Sequence, residues 1–215
     1  MLNSILDFLL KILSTLFSGS KPIENDLQNN TNFASVPVDI DLKGHKKWEY
    51  IVIHHSATTD ANLNDWEAIR KWHMGLIGSD DPKSPDFNKY VKEPMRDIGY
   101  HFGIERENGS LVYRTGRSLS WDGGHAIGFN NKGIGICVVG SYDNSSPTEE
   151  YLKFLINLCK ILMRCFSIPS KNVIGHWETF LLRGIAKRVS EAQTIKSCPG
   201  KKFDLTLLRE KLVEL

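Results

Sequence analysis

The sequence predicts a single α/β domain in which a central mixed β-sheet is flanked by helices. Short apolar runs rich in β-branched residues alternate with helical patterns along the 215 residues, as is typical of a sheet covered by helices. One pair of runs is joined by Asn108-Gly109, a strong hairpin signal, so the sheet should be mixed rather than wholly parallel. We expect this domain to occupy residues 46–215.

Two segments precede the predicted domain. Residues 1–18 carry polar side chains every three or four positions in an apolar stretch, which predicts an amphipathic helix that contacts a membrane surface or a partner. The alternatives are a degenerate signal peptide or anchor, although Asp7 and Lys11 interrupt the apolar stretch, and a helix packed on its own domain. Residues 19–45 are rich in Asn, Ser, Asp and Pro and should form a linker.

The first half of the domain should contain three strands and one helix. Tyr50–His55 is a short apolar run that predicts a buried strand. A helix should follow between the cap Asn64 and Gly75, and residues 78–97 should form a surface loop or lid. Tyr100–Arg106 and Leu111–Thr115 are the expected strands of the hairpin.

The second half should contain one long helix between two strands, Gly133–Gly140 and Val173–Gly175. Residues 146–149 form a capping box for this helix, which should end near Cys165. Asp204 should cap a final helix. The long helix is expected to bury Leu152, Leu155, Cys159 and Leu162.

Composition excludes several classes of protein. The 27 basic and 25 acidic side chains leave a net charge of +2, which does not favour nucleic acid as a partner. The four cysteines suggest no dense disulfide framework. Residues 160–215 carry 11 basic and 5 acidic side chains, a net charge of +6, which would suit an anionic polymer such as a bacterial wall or would simply be a solvated helix face.

Three side chains could bind a metal. His54 ends the first strand, His176 follows another strand, and Cys198 lies in a polar loop. Imidazole and thiolate are the ligands that zinc prefers, and three protein ligands leave a fourth position open. The intervals of 122 and 22 residues match no compact zinc motif, however, and histidines at strand ends are often structural. Alternation places His55 on the opposite face, so it should not share the metal.

Seven short motifs resemble those of the zinc-dependent N-acetylmuramoyl-L-alanine amidases and occur in the same order as in that family. The family includes phage amidase-type lysozymes and animal peptidoglycan recognition proteins. The resemblance covers about residues 48–205, although the stretches 78–97 and 179–192 look longer than in compact phage members. The motifs are YIVIHHSAT (50–58), IRKWH (69–73), IGYHF (98–102), HAIGFN (125–130), GIGICVVG (133–140), GHWE (175–178) and KSCPG (196–200).

The resemblance implies a catalytic centre with one zinc ion held by His54, His176 and Cys198. It also implies that Tyr100 and Lys196 lie at this centre. Lys196 would stabilise the oxyanion of the tetrahedral intermediate, and Tyr100 would donate a hydrogen bond there. Without the motifs, Tyr100 would be read as a packed aromatic residue and Lys196 as an exposed charge.

Further residues are expected around this centre. The resemblance places His125 and Asn130 in a substrate-binding segment. Trp121 would stack on a sugar or pack in the interior. Glu178 would orient His176 by accepting a hydrogen bond from its ring, or it would be a surface acid.

The implied activity is hydrolysis of the amide that joins N-acetylmuramic acid to L-alanine in peptidoglycan. A non-catalytic peptidoglycan-binding module of the same fold is the alternative, and a purely structural zinc site would need a fourth ligand. We expect a monomer that acts at the bacterial cell wall, in the periplasm or outside the cell, or after release as a phage-encoded enzyme. Residues 1–18 would add contact with a membrane surface.

Overall fold

The structure, a computed structural model, describes residues 46–58, 65–75 and 94–214. All of them belong to the second of two units of the chain, residues 38–215. The predicted helix 1–18, the linker 19–45 and most of the loop 78–97 lie outside the described residues.

Five strands form one sheet in the order β3-β2-β4-β1-β5. Strands β2, β4, β1 and β5 run parallel, whereas β3 pairs antiparallel with β2. The predicted mixed sheet is therefore confirmed. The strands are β1 Tyr50–His55, β2 Phe102–Glu107, β3 Ser110–Thr115, β4 Gly133–Val138 and β5 Val173–Gly175.

The antiparallel edge arises from the predicted hairpin turn. Asn108 and Gly109 have φ values of 50° and 84°, the left-handed conformations that a two-residue hairpin turn of this type requires. Glu107 pairs with Ser110 directly across the turn, so the turn sets the register of β2 and β3.

Five helices and one short 3₁₀ turn, Ser170–Asn172, accompany the sheet in the described part of the chain. Within that part, no helix is long and apolar enough to cross a membrane. The helices are α1 Trp66–His73, α2 Glu149–Phe166, α3 Glu178–Leu182, α4 Val189–Ile195 and α5 Leu205–Val213.

Two helix starts differ from the prediction by one or two residues. Asp65 caps α1 through its side chain, in place of Asn64, which lies outside the described residues. Thr148 caps α2, so the predicted box at 146–149 is wrong. The hydroxyl of Ser146 instead donates to the carbonyl of Lys202 at 3.1 Å. Asp204 caps α5 as predicted.

The sheet is covered on both faces, and its central strands are the most buried. The Val52 side of β1 packs with Ala126, Phe129 and Ile174. Helix α2 contacts β2, β3 and α5. Its buried residues are Leu155, Leu158, Cys159 and Leu162, whereas Leu152 is only half-buried, contrary to the prediction.

Candidate metal centre

The three predicted metal ligands meet at the carboxyl ends of β1 and β5. Because these strands are neighbours and parallel, their ends lie at one edge of the sheet. The backbone N–H of His176 donates to the carbonyl of Ile53 at 3.1 Å, one residue before His54. The N–H of Trp177 donates to the carbonyl of Cys198 at 3.0 Å, which brings the cysteine loop to the same place.

The geometry of this group fits a tetrahedral metal ion. One ligand atom of each of His54, His176 and Cys198 lies within 4.8 Å of the others. His54 Nδ1 and Cys198 Sγ are 3.5 Å apart, and bond lengths of about 2.0 to 2.3 Å place two ligands of a tetrahedral zinc roughly 3.5 Å apart. Three protein ligands leave a fourth position for water or substrate.

Burial keeps all three ligands uncharged at neutral pH. It lowers the pKa of His54 well below the usual value, and nearby His176 lowers it further. Burial, helped by Lys196, lowers the pKa of His176 to about 4. It raises the pKa of the Cys198 thiol to about 12. Both imidazoles therefore offer lone pairs at pH 7, and a metal ion would displace one proton from the thiol.

Tyr100 and Lys196 both lie beside the ligand group. The ring of Tyr100 is 5.0 Å from that of His54, centroid to centroid. Burial, together with the nearby Cys137, raises the pKa of Tyr100 well above its ordinary value. Tyr100 is therefore a neutral hydrogen-bond donor and not a base. Lys196 is exposed, and its charge acts on His176.

His125 is buried and Asn130 is half-buried, so their expected role in substrate binding stays a prediction. His125 is buried, with its Nδ1 3.0 Å from His54 Nε2 and its Nε2 3.0 Å from the carbonyl oxygen of Gly133. The Asn130 side-chain oxygen accepts the backbone N–H groups of His125 and Ala126, both at 2.8 Å. These polar atoms are engaged by the protein itself.

Trp121 is partly covered by a cation. The guanidinium of Arg96 lies 3.8 Å from the centre of the indole ring, and the side chain is half-buried. One face of the ring is thus taken by a cation–π contact. Stacking of the other face on a sugar stays a prediction.

Glu178 holds the end of β5 rather than the ring of His176. Its carboxylate accepts the backbone N–H of Gly175 at 2.8 Å and pairs with Arg209 at 3.0 Å. The predicted contact with the His176 imidazole is not among the bonds of the described residues. Glu178 therefore anchors the strand end from which His176 emerges, and it ties that end to α5.

Most of the chain matches a known protein family. The model of the N-acetylmuramoyl-L-alanine amidases matches residues 44–201. The chain belongs to this amidase family.

Relatives of the amidase domain include phage and animal proteins. The endolysin of Escherichia phage T7 is 26% identical over 172 residues, which are 80% of this chain and 92% of the endolysin. Peptidoglycan-recognition protein LB of Drosophila melanogaster is 26% identical over 128 residues, 59% of this chain and 50% of that protein. The solved N-acetylmuramoyl-L-alanine amidase LysC from Clostridium intestinale URNW has the same fold, with a TM-score of 0.52, 23% identity and coverage of 77% and 85%.

Two further buried residues, Cys137 and His101, lie near the candidate metal centre and were not predicted. The sequence predicts Cys137 only as part of an apolar strand, yet it lies close enough to Tyr100 to raise the pKa of the phenol. His101 was not singled out, yet its Nδ1 accepts the backbone N–H of Gly135 at 3.0 Å. The available signal was alternation: Gly133, Gly135 and Cys137 are small residues on one face of β4, in register with the His54 face of β1.

Proposed function

We propose that this protein is a zinc-dependent peptidoglycan hydrolase that cleaves the amide between N-acetylmuramic acid and L-alanine. The observation that carries the proposal is the group formed by His54, His176 and Cys198, because it offers the preferred donors of zinc in a chain of the amidase family. The similarity to the T7 endolysin over most of both chains supports an enzyme that acts on the wall.

The surrounding residues suit amide hydrolysis. When bound, zinc would polarise the scissile carbonyl and lower the pKa of a water molecule. Tyr100, neutral at all physiological pH values, would donate a hydrogen bond to the carbonyl oxygen. Lys196 would bring a positive charge to the oxyanion that forms there, where a fixed charge lowers the barrier.

The place of action follows from the substrate. The enzyme would act at the bacterial cell wall, and the basic residues of 160–215 would favour binding to an anionic wall polymer. Membrane contact through residues 1–18 stays a separate proposal, tested by liposome flotation with and without that segment. Equal flotation of both proteins would remove it.

The proposal is tested by digesting purified peptidoglycan and identifying the products by mass spectrometry. We expect free stem peptides that begin with L-alanine, their loss on treatment with a chelator, and their return on addition of zinc. Cys198→Ser, which replaces only the ligand sulfur, should release none. Wall that is bound but not cut by the zinc-loaded protein would instead favour the binding module suggested by the peptidoglycan-recognition relatives.

A further inference from the structure

Two buried imidazoles and one carbonyl form a continuous hydrogen-bonded chain beside the candidate metal centre. His54 Nε2 lies 3.0 Å from His125 Nδ1, and His125 Nε2 lies 3.0 Å from the carbonyl oxygen of Gly133. The other nitrogen of His54, Nδ1, lies 3.5 Å from the sulfur of Cys198. Every ring nitrogen in this chain therefore has one defined neighbour.

The positions of the protons follow from the carbonyl end. A carbonyl oxygen only accepts, so Nε2 of His125 carries a proton and donates it to Gly133. A neutral His125 then has its lone pair on Nδ1, and His54 must donate from Nε2. Neutral His54 is left with its own lone pair on Nδ1, the nitrogen that faces Cys198.

The surroundings of His125 favour the neutral ring. Its ring is buried against the face of β4 beside Gly135, and burial disfavours a charged imidazole. Each of its ring nitrogens already has a protein partner, His54 on one side and the carbonyl oxygen of Gly133 on the other.

The ring of His125 is also held in one orientation. A methyl group at Gly135 would lie 2.6 Å from Cδ2 of the ring, and one at Gly123 would lie closer still, so only glycine leaves room on these two sides. The side-chain oxygen of Asn130 holds the backbone N–H groups of His125 and Ala126. Neither the ring nor its loop can turn without breaking several contacts.

We infer that His125 is a positioning residue that fixes the tautomer of His54, so that the Nδ1 lone pair of His54 points at the metal position even in the metal-free protein. Metal-ligating histidines commonly donate their second N–H to a carboxylate or a carbonyl. Here the imidazole of His125 accepts that N–H, and the carbonyl of Gly133 in turn fixes which nitrogen of His125 carries a proton. The inference rests on the proposed function only in taking His54 as a ligand.

Two variants separate this role from simple packing. His125→Asn keeps an acceptor oxygen near the position of Nδ1 and loses the bond to Gly133, whereas His125→Gln can keep a donor to Gly133 and loses the acceptor. If His125 fixes the tautomer, zinc affinity measured by chelator competition should fall about 10- to 100-fold in His125→Gln and only a few-fold in His125→Asn. The opposite order would show that satisfying Gly133 is what matters, and would overturn the inference.

The tautomer itself is measured on metal-free, ¹⁵N-labelled wild-type protein by long-range ¹H–¹⁵N NMR. Seven histidines make assignment tractable, with His54→Ala identifying the resonances of His54. A proton on Nε2 of His54 supports the inference, and a proton on Nδ1 overturns it. Because the measurement uses wild-type protein, it decides the question even if a variant fails to fold. A protein that shows the expected tautomer but releases no stem peptide would refute the proposed function and leave this inference standing.

Discussion

Two consecutive histidines end β1 on opposite faces of the sheet, and only one belongs to the candidate metal centre. Their burial is nearly the same, with 1% of His54 and 5% of His55 exposed. His54 has Nδ1 beside Cys198. His55 instead uses Nδ1 to accept the backbone N–H of Tyr142 at 3.2 Å, and its ring stacks on Tyr142. What each nitrogen faces, rather than burial or residue type, separates a ligand from a packing residue.

The same contrast extends to the neighbouring strand. On the His54 face, β4 presents Gly133, Gly135 and Cys137, in register with residues 50, 52 and 54. On the His55 face it presents the larger Ile134, Ile136 and Val138, all buried. Small side chains make room for the ring of His125 on one face, whereas branched ones fill the core on the other.

The sharpest test of the contrast compares His54→Ala with His55→Ala. His54→Ala should lose bound zinc and lower wall hydrolysis by on the order of a thousand-fold or more, since the metal supplies several kcal/mol to the reaction. His55→Ala should keep zinc and stay within about tenfold of wild-type activity, because its contact with Cys198 is made by the backbone N–H, which alanine retains. Zinc content and stem-peptide release measure both. Loss of zinc in both variants would contradict the assignment of His54 as a ligand and His55 as a packing residue.

The next largest effect is expected for Lys196, a charged residue that is not one of the proposed metal ligands. Lys196→Ala should retain zinc and lower kcat by about a hundred- to a thousand-fold, because it removes a cation from the oxyanion. Lys201→Ala, a nearby exposed lysine, is the matched control and should have little effect. Near-normal turnover of Lys196→Ala would remove Lys196 from the catalytic centre.

Zinc affinity should depend on pH through the thiol alone. The pKa of His176 is about 4 and that of His54 is also well below its usual value, so neither ring binds a proton between pH 6 and 8. The Cys198 thiol, with a pKa of about 12, is protonated over the same range. Each zinc therefore displaces one proton, and the dissociation constant should rise about tenfold per unit as pH falls. Chelator competition at several pH values measures the slope, and a flat profile would contradict the assignment of Cys198.

The smallest expected effects compare the two faces of β4 directly. Gly135→Ala should destabilise the protein by about 1 to 3 kcal/mol, because its methyl group would overlap the ring of His125. Ile136→Val on the other face should cost about 0.5 to 1.5 kcal/mol through lost packing. Urea unfolding measures both. Only Gly135→Ala should also weaken zinc binding, and equal zinc affinity in the two variants would count against a role for His125.

Much of the fold could be predicted because its signals are local. The apolar run of β1 and the Asn108-Gly109 turn depend on neighbouring residues, and the structure contains both elements. The start of α1 was displaced by one residue because the cap also depends on a distant contact: the N–H of Trp66 donates to the carboxylate of Glu105 at 2.6 Å. A sequence window contains no information on that contact.

In the candidate site, too, some residues could be predicted from local motifs and others depend on distant contacts. His54, His176 and Cys198 were found through motifs, and the structure brings them together. The positions of His125 and Asn130 were not foreseen, because they depend on the space left by small residues of β4 and on the register between β4 and β1. Side chains that contact other side chains across strands cannot be assigned until the register is known.

The strand order has a consequence for how the protein is made. Among the described strands, β1 leaves the ribosome first, yet its two partners begin only at residues 133 and 173. Until then a nascent chain carries an apolar strand with both edges open, the kind of segment that pairs with other chains or recruits chaperones. Slow synthesis at low temperature, or chaperone co-expression, should therefore raise the yield of folded protein more than a change of purification buffer would.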